Sequence, residues 1–489
     1  MTEPVRVGEV LPEVVAEAIA RAGPGYDRWA EQVAAIGYCA HPVRLRGRVD
    51  HANPATGEIR TVYSTDREPD ATLLKACGNR RASVCPSCSA TYQADSFQLL
   101  AAGLRGGKGI PETIATHPRL FVTFTAPSFG PVHTRKAQGL LVFPCHPYRQ
   151  GQRCPHGRRA GCWQRHEEDD PRLGEPLCAR CYQAGAQVLW NALAGRLWSR
   201  TTIYLYRALA QVAGLTERQV QRLVRISFAK VAEYQKRGAV HFHAIIRLDA
   251  RTACACPSPS CVAPPPPGFT ADLLAAAVRR AAATVTVPCP PVDEDQDVTL
   301  VARWGEQLDV RHISADTGEE LTEEQVAGYV AKYATKSTEA LGITLDHRLS
   351  ETDLEELAVP AHVAELVRAC WELAGRPGMT KLRLGKWAHM LGFGGHFSTK
   401  SRRYSTTLGA LRRARVAFVI RRRRGDTVPL DAWGPPEDDQ AVVVVASWTY
   451  LGRGYQSTGE AWLAASAAAR ARDARRVARE ELRTTTKAA

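Results

Sequence analysis

The run HFH (241–243), inside VHFHAIIRLD (240–249), constrains the fold most strongly. Alternate side chains of a β-strand point to opposite faces, so the two imidazoles share one face and Phe242 takes the other. The preceding run VRISFAKVAEYQ (224–235) is also typical of a strand, and the short connection KRGA (236–239) supplies a glycine for the turn. The sequence therefore predicts a β-hairpin that fixes two histidines in the middle of a sheet.

Glu233 lies eight residues before His241, on the partner strand of this hairpin. Two neutral imidazole nitrogens and one carboxylate would hold Mg²⁺ or Mn²⁺ with positions left open for a phosphate oxygen. Taken alone, the two histidines are more typical of hydrogen-bonded sheet residues, and Glu233 of an ordinary surface carboxylate. Together, Glu233, His241 and His243 predict a divalent-metal site.

The run VAGYVAKYATK (326–336) carries Tyr329 and Tyr333 four residues apart. On a helix both phenols lie along one face. Lys332 and Lys336 each follow a tyrosine by three residues, where they could hold a phosphate. A tyrosine that attacks a phosphate stores the broken backbone bond as an ester. The alternative for the isolated run is an ordinary amphipathic helix.

Fourteen cysteines in a chain that begins without an export signal favour metal binding over disulfides. Two C-x-x-C pairs predict one four-cysteine structural zinc site, formed by Cys85, Cys88, Cys178 and Cys181. A second zinc site is predicted within the group Cys77, Cys145, Cys154, His156, Cys162 and His166, and the favoured set is Cys145, Cys154 and Cys162 with His156 or His166. A third possible set is Cys254, Cys256, Cys261 and Cys289. The alternative is buried cysteines without metal.

The formal net charge of +14 favours a polyanionic partner such as nucleic acid, although a merely basic protein has the same charge. No apolar run approaches the roughly 18 residues of a membrane helix. The acidic, proline-containing start MTEPVRVGEVLPEVV is not a signal peptide. The expected location is the cytoplasm, without membrane association.

Three motifs occur in the order LFVTFTAP (120–127), HFHAII and YVAKYATK. They resemble the three motifs of the HUH endonuclease superfamily, which includes rolling-circle replication initiators, and the paired tyrosines are similar to those of the phage gene A class. The segments CGNRRASVCPSC, YQKRGAVHFHAIIRLD, WGEQLDVR, VAGYVAKYATK and LGFGGHFSTKSRRYS are similar to replication initiators of actinobacterial plasmids and integrative elements. The resemblance covers most of the chain.

The resemblance implies an α+β fold with a central antiparallel sheet, helices on its faces and the metal pair on a middle strand. It also implies that the protein nicks one strand at a plasmid origin, forms a 5′-phosphotyrosine intermediate, leaves a free 3′-OH for polymerase and later rejoins the strand. The implied partners are single- and double-stranded origin DNA, a host helicase and a polymerase.

Residue by residue, His241 and His243 match the metal pair of the resembled family, and Glu233 matches its carboxylate by spacing alone. Tyr333 matches the tyrosine present throughout the class. Tyr329 matches a second tyrosine found in some members, whereas other members have a glutamate there. Whether Tyr329 is a second nucleophile therefore stays open.

Four segments are predicted: an N-terminal helical segment (1–70), a Cys/His-rich zinc-supported region that includes the strand at 120–127 (71–185), the endonuclease core with a Pro/Cys-rich insert at 252–268 (186–345), and a basic, mostly helical C-terminal domain (346–489). We expect a further strand at 298–313 and a capping box TEEQ (322–325) at the start of the tyrosine helix. The run GGHFSTKSRRYSTT is predicted either to contact phosphates and stack extruded bases or to be a solvated basic loop.

Two rival functions fit parts of this pattern. A conjugative relaxase or single-strand transposase would keep the chemistry, but relaxases are expected to place the tyrosine before the histidines. A zinc-containing DNA-binding regulator would have no catalysis, and its histidines would be structural.

Overall fold

The computed structural model describes residues 12–54, 56–251, 262–290, 301–314, 321–334, 338–343, 348–423 and 443–488. The chain divides into two compact units, one within Met1–Ala94 and Gly434–Ala489 and the other within Asp95–Trp433. We call them the terminal unit and the central unit. No helix among the described residues is long and apolar enough to span a membrane.

The helices are α1 (Pro12–Arg21), α2 (Tyr26–Ala35), α3 (Pro86–Arg105), α4 (Ala184–Ala213), α5 (Glu217–Leu223), α6 (Ala271–Thr284), α7 (Glu323–Ala334), α8 (Glu351–Glu356), α9 (Ala361–Ala374), α10 (Leu408–Arg423) and α11 (Thr458–Ala488). The strands are β1 (Val43–Ala52), β2 (Ile59–Ser64), β3 (Leu73–Lys75), β4 (Arg119–Phe124), β5 (Lys136–Gln138), β6 (Leu141–Phe143), β7 (Val224–Tyr234), β8 (Val240–Ala250), β9 (Val287–Pro288), β10 (Val301–Ala302), β11 (Leu308–Ser314), β12 (Leu321–Thr322), β13 (Ser398–Lys400) and β14 (Val443–Arg453). Short 3₁₀ turns lie at Thr65–Arg67, Pro69–Ala71, Glu112–Thr116, Ala179–Cys181, Thr338–Leu341, Thr380–Leu382 and Ala388–Met390.

The central unit is built on a six-stranded sheet in the order β12-β11-β4-β8-β7-β13. Its pairings are antiparallel except for the short parallel contact between β11 and β12. The predicted hairpin of β7 and β8 is confirmed, and so are the strand at β4 and the α+β class with an antiparallel sheet. The two histidines therefore lie on a strand with neighbours on both sides.

Helices cover both faces of this sheet. On one face, Trp198 of α4 packs its ring against Phe124, Phe228 and Phe242, with centroid separations of 5.6, 5.2 and 6.1 Å. On the other face, α7 lies over β4 and β8, where Tyr329 contacts the ring of Phe121. Alternation along β8 thus sends Phe242 into the core and the flanking histidines toward α7.

The turn of the β7–β8 hairpin is held by the start of α4. Asn191, which is fully buried, donates from its side-chain amide to the carbonyls of Gly238 and Leu391 and accepts from the N–H of Val240, at 2.9–3.0 Å. Gly238 has φ +81°, and a Cβ there would meet leucine side chains at 2.8 Å. Glycine is therefore required at this turn.

The terminal unit contains a sheet in the order β14-β1-β2, with β3 also paired to β1. Its small core includes Trp29, Val33, Leu74 and Ala464. At the start of α11, a carboxylate oxygen of Glu17 accepts hydrogen bonds from the Thr458 hydroxyl (2.6 Å) and the Gly459 N–H (2.8 Å). The terminal unit is therefore built from an N-terminal and a C-terminal segment that contact each other.

Several predicted boundaries need correction. The segment 1–70 contains β1 and β2 as well as helices, and 346–489 contains β14, which pairs along β1. The structural division falls inside α3 rather than at 70, 185 or 345, because strand pairing joins the termini. The insert expected at 252–268 lies partly outside the described residues.

The strand expected at 298–313 is interrupted. Residues 298–300 lie outside the described part, and β10 and β11 are separated by residues in which Trp304 turns inward and donates to the Thr201 hydroxyl at 2.9 Å. The run GGHFSTKSRRYSTT also differs from expectation, since Phe397 and Tyr404 are buried. These rings stabilise the fold and are closed to extruded bases.

Candidate active site and metal centres

Glu233, His241 and His243 lie together on one face of the hairpin. Glu233 is directly opposite His241 in the β7–β8 register. One oxygen of its carboxylate lies 3.0 Å from Nε2 of His241 and 3.1 Å from Nε2 of His243. One carboxylate oxygen and two imidazole nitrogens within 4.8 Å of one another can hold a metal ion, and the set suits an oxygen- and nitrogen-binding divalent cation. We call these residues the metal triad.

The electrostatics of the metal triad favour the ligand forms of its side chains. Burial alone would raise the pKa of Glu233, but hydrogen bonds with both imidazoles outweigh it and lower this pKa to about 2. Burial lowers the pKa of His243 despite the opposing hydrogen bond to Glu233. At neutral pH the site therefore presents a carboxylate and a neutral His243, as metal binding requires.

The two tyrosines of α7 face the metal triad. The ring of His243 lies 5.2 Å from that of Tyr329 and 5.5 Å from that of Tyr333, and the two phenol rings are 4.6 Å apart. Burial, then the neighbouring Tyr333, raises the pKa of Tyr329. A neutral phenol at this position needs a nearby positive charge before it can act as a nucleophile.

A capping box and an ion pair hold the start of α7. The predicted capping box is confirmed, since the Thr322 hydroxyl accepts from the Gln325 N–H at 3.3 Å and the Gln325 side chain accepts from the Thr322 N–H at 3.1 Å. An ion pair of 2.5 Å joins Glu323 in the first turn to the buried Arg119 of β4. These contacts set the position of the tyrosine helix over the sheet.

Thr123 adds a contact to the metal triad, and one of the two predicted lysines lies on the same helix as the tyrosines. Lys332 is exposed on α7, and Lys336 lies outside the described residues. Thr123, which the sequence prediction missed, is opposite His243 in the β4–β8 register and its hydroxyl lies 3.1 Å from Nδ1. With a metal held at Nε2, Nδ1 would keep its proton and donate a hydrogen bond to this hydroxyl, which would orient the ring. The strand pattern of LFVTFTAP (120–127) could have indicated Thr123, because alternate residues of a strand point to the same face of the sheet.

The terminal unit contains a four-cysteine cluster of Cys39, Cys77, Cys85 and Cys88. Sulfur–sulfur distances are 3.7 Å for Cys77–Cys88 and 3.8 Å for Cys39–Cys85. Backbone N–H groups donate to three of the sulfurs, among them Cys77 N–H to Cys39 Sγ at 3.2 Å. Four thiolates stabilised by amide donors can hold a tetrahedral metal.

Two further clusters lie between β4 and α4 in the central unit. In the first, formed by His133, Cys145, Cys162 and His166, the facing nitrogens of the two histidines are 3.1 Å apart. His166 Nδ1 also lies 2.7 Å from a carboxylate oxygen of Asp170, a contact that orients metal-binding histidines.

The second cluster of the central unit consists of Cys154, His156, Cys178 and Cys181. Nδ1 of His156 lies 3.1 Å from the Cys181 sulfur and 3.9 Å from the Cys178 sulfur. Three thiols and one imidazole can hold a tetrahedral metal.

The predicted grouping of the cysteines is therefore corrected. Cys85 and Cys88 do not share a cluster with Cys178 and Cys181, and the set Cys145, Cys154, His156 and Cys162 is split between two clusters. The sequence prediction missed Cys39, which lies before the predicted Cys/His-rich region (71–185), and it also missed His133. Three members of the third possible set lie outside the described residues, and its remaining member, Cys289, packs in the core.

Similarity to known proteins extends over almost the whole chain. Residues 25–469 match the family model RepSA, described as "Replication initiator protein, pSAM2". A replication initiator protein of Streptomyces ambofaciens is 44% identical over 488 residues, which cover 99% of this chain and 97% of that protein. No solved structure matches the chain.

Proposed function

This chain belongs to the RepSA family of replication initiator proteins, and from that premise we propose that it nicks one DNA strand at a replication origin by tyrosine attack, in the manner of HUH endonucleases. The observation that carries the proposal is the common face shared by the metal triad and two tyrosines. His243 is in ring contact with both Tyr329 and Tyr333. A phosphodiester bound here would meet ligands for a metal and a nucleophile at once.

The proposed chemistry is a transesterification. The phenol oxygen of Tyr333 or Tyr329 bonds to phosphorus, the bond from phosphorus to the 3′ oxygen breaks, and that oxygen takes up a proton as the phenol loses one. Mg²⁺ or Mn²⁺ bound by Glu233, His241 and His243 would supply positive charge to the phosphate. The 5′-phosphotyrosine keeps the bond energy for later rejoining, and the free 3′-OH primes polymerase.

The decisive experiment uses single-stranded oligonucleotides that tile the origin of the element encoding the chain, with Mn²⁺ or Mg²⁺. A denaturing gel should reveal a covalent protein–DNA adduct. Changing both Tyr329 and Tyr333 to Phe should reduce adduct formation by on the order of 10³-fold or more, because the nucleophile is lost. The matched control is Tyr450→Phe, an exposed tyrosine on β14.

Single tyrosine variants decide whether one or both phenols react. His241→Ala should abolish metal-dependent adduct formation. An adduct that persists in the double tyrosine variant would exclude these nucleophiles. Binding of the origin without any adduct, under every metal condition, would instead support a non-catalytic regulator.

The same proposal assigns structural Zn²⁺ to the three Cys/His clusters, because their ligand sets are those of closed zinc sites. Purified protein should hold three zinc ions in addition to any ion at the metal triad, measured by native mass spectrometry and elemental analysis. Cys85→Ser, Cys145→Ser and Cys178→Ser should each lose one ion. Cys370→Ala is the matched control, since Cys370 is buried in the apolar core. A folded protein purified without zinc would reject the assignment.

A further inference from the structure

A large cleft opens at the end of the central sheet where β4 stops and β7 turns into β8. Its volume is about 1290 Å³, above the roughly 300–1,000 Å³ of pockets for small molecules. Its walls come from the segment after β4, the turn of the β7–β8 hairpin, the end of α6 and the residues before β11. The dimensions suit part of a polymer.

The walls of this cleft are strongly cationic. Five positively charged side chains line it against two carboxylates, those of Glu168 and Glu306; the five are Arg135, Lys236, Arg237, Arg279 and Arg303. Four of the five are exposed, and within the described part of the chain none of the five forms an ion pair with a carboxylate. Uncompensated positive charge of this density favours a polyanion.

Two of these cations, Arg237 and Lys236, are held in place by hydrogen bonds to backbone carbonyls. The guanidinium of Arg237 donates to the backbone carbonyls of Pro127 (3.1 Å) and Ala126 (3.2 Å). The ammonium of Lys236 donates to the carbonyl of Glu168 at 2.6 Å. The hairpin turn is thereby joined to the segments before and after the Cys/His cluster that contains His133. That histidine itself lines the cleft.

The end of β7 links the wall of the cleft to the metal triad. Gln235 in the cleft wall is two residues after Glu233, a distance of roughly 7 Å along a strand. No residue of the metal triad lines the cleft, and neither Tyr329 nor Tyr333 does, so the cleft is a separate surface from the proposed nicking site. A DNA strand with its scissile phosphate at the triad could continue into the cleft within a few nucleotides.

We propose that this cleft binds the phosphate backbone of the single strand next to the scissile phosphate. The inference rests on the proposed nicking function and adds the surface that holds its substrate. Trp304 is the one Trp, Tyr or Phe among the described residues that line the cleft, and it is only 5% exposed, so its ring offers no stacking platform. Contact is therefore to phosphates and independent of base sequence.

The test is binding of fluorescein-labelled oligo(dT) of about 20 nucleotides, followed by anisotropy at several salt concentrations. The double variant Arg279→Gln/Arg303→Gln should bind at least about tenfold more weakly, and the slope of log affinity against log salt should flatten by about 1.4, because two phosphate contacts are lost. The charge-matched control is Arg196→Gln/Arg218→Gln, two exposed arginines outside the cleft. The variant Arg279→Lys/Arg303→Lys should keep most of the affinity.

Hydrogen exchange of the full chain provides a second readout, since oligo(dT) should slow exchange in residues 126–135 and 235–237. Affinity and salt slope equal to those of the control variant would overturn the inference. A loss seen with a duplex and not with oligo(dT) would also overturn it, because the cleft would then hold double-stranded DNA. Oligo(dT) contains no origin, so binding through the cleft without any adduct on origin DNA would retain this inference and reject the nicking proposal.

Discussion

Strands β8 and β14 are both 11 residues long and both rich in β-forming residues, yet their surroundings are opposite. β8 lies between β4 and β7 and is buried along nearly its whole length. Within the described part of the chain β14 pairs only with β1, and it is exposed along nearly its whole length. Both strands therefore have a high β propensity, and they differ in burial because other elements pack on the faces of β8 and not on those of β14. Of these two strands, only the buried β8 contributes residues to the metal triad, namely His241 and His243.

Burial of β8 has a functional consequence. A strand enclosed on both faces has fixed side-chain directions, so its histidines are held toward Glu233 and the tyrosine helix. The site is also partly dry, since the side chain of His243 is only 3% exposed. Electrostatic interactions with a bound phosphate are stronger in such surroundings than in water.

The largest expected contrast between the strands is in apolar packing. Phe242→Ala should destabilise the central unit by about 3–5 kcal/mol, because the fully buried ring contacts Trp198, Trp304 and Phe393 and leaves a cavity. Val444→Ala on β14, where the side chain is 60% exposed, should change the free energy of unfolding by less than about 0.5 kcal/mol. Denaturant unfolding measures the free energy of unfolding of each variant, and hydrogen exchange shows which strand loses protection. Equal losses in the free energy of unfolding for Phe242→Ala and Val444→Ala would show that β8 and β14 do not differ in apolar packing.

A second contrast concerns charges. Asp249 of β8 is fully buried with Arg247, and its carboxylate also accepts from the Ser227 hydroxyl at 2.5 Å. Asp249→Asn should cost about 3 kcal/mol, because the buried guanidinium loses its counter-charge. Asp50→Asn on β1, where the carboxylate accepts from Thr61 at the surface, should cost much less.

The pH dependence of this pair follows from the direction of the pKa shift. Burial would raise the pKa of Asp249, but hydrogen bonds from His117, Arg247 and Ser227 together with the charge of Arg247 lower it. The stabilisation is present above the unfolded pKa of about 3.9 and is lost as the pH falls toward the lower folded value. The stability gap between the wild type and Asp249→Asn should therefore narrow below about pH 3.9. If the difference in free energy of unfolding between the wild type and Asp249→Asn did not change with pH, the charge of the Asp249 carboxylate would contribute nothing to stability.

Sequence alone predicted β8 and missed β14 for a physical reason. The β7–β8 hairpin is local, and its alternation, glycine turn and histidines all lie within one short run. The partner of β14 is β1, at the opposite end of the chain, and the exposed run VVVASWTYLGR (443–453) has no alternation that would indicate a sheet face. Pairing between the termini is a tertiary effect that local propensity does not contain.

The cysteine clusters illustrate the same limit. The C-x-x-C pairs lie in clusters that could hold a metal, but each pair completes its cluster with residues from elsewhere: Cys85 and Cys88 with Cys39 and Cys77, and Cys178 and Cys181 with Cys154 and His156. The spacing of a C-x-x-C pair indicates two candidate ligands and says little about which distant residues complete the cluster. Thr123 and Arg119 were missed likewise, since their roles depend on pairing across the sheet and on the position of α7.

The smallest expected effect compares two lysines on strands. Lys230 of β7 is 3% exposed, its ammonium lies 4.0 Å from the centre of the Phe242 ring and donates to the His396 carbonyl, and burial lowers its pKa to about 7. The unfolded chain binds more protons between about pH 7 and the unfolded pKa of about 10.4, so this group makes stability rise with pH there, by at most about 1.4 kcal/mol per pH unit. Lys230→Met should remove that rise in denaturant unfolding at pH 7, 8 and 9, whereas Lys75→Met at the exposed end of β3 should leave it unchanged. If the free energies of unfolding of the wild type and Lys230→Met changed in parallel with pH, the central sheet would hold a charged lysine as readily as the exposed end of β3 does. Burial would then not be the property that distinguishes the central sheet from the sheet of the terminal unit.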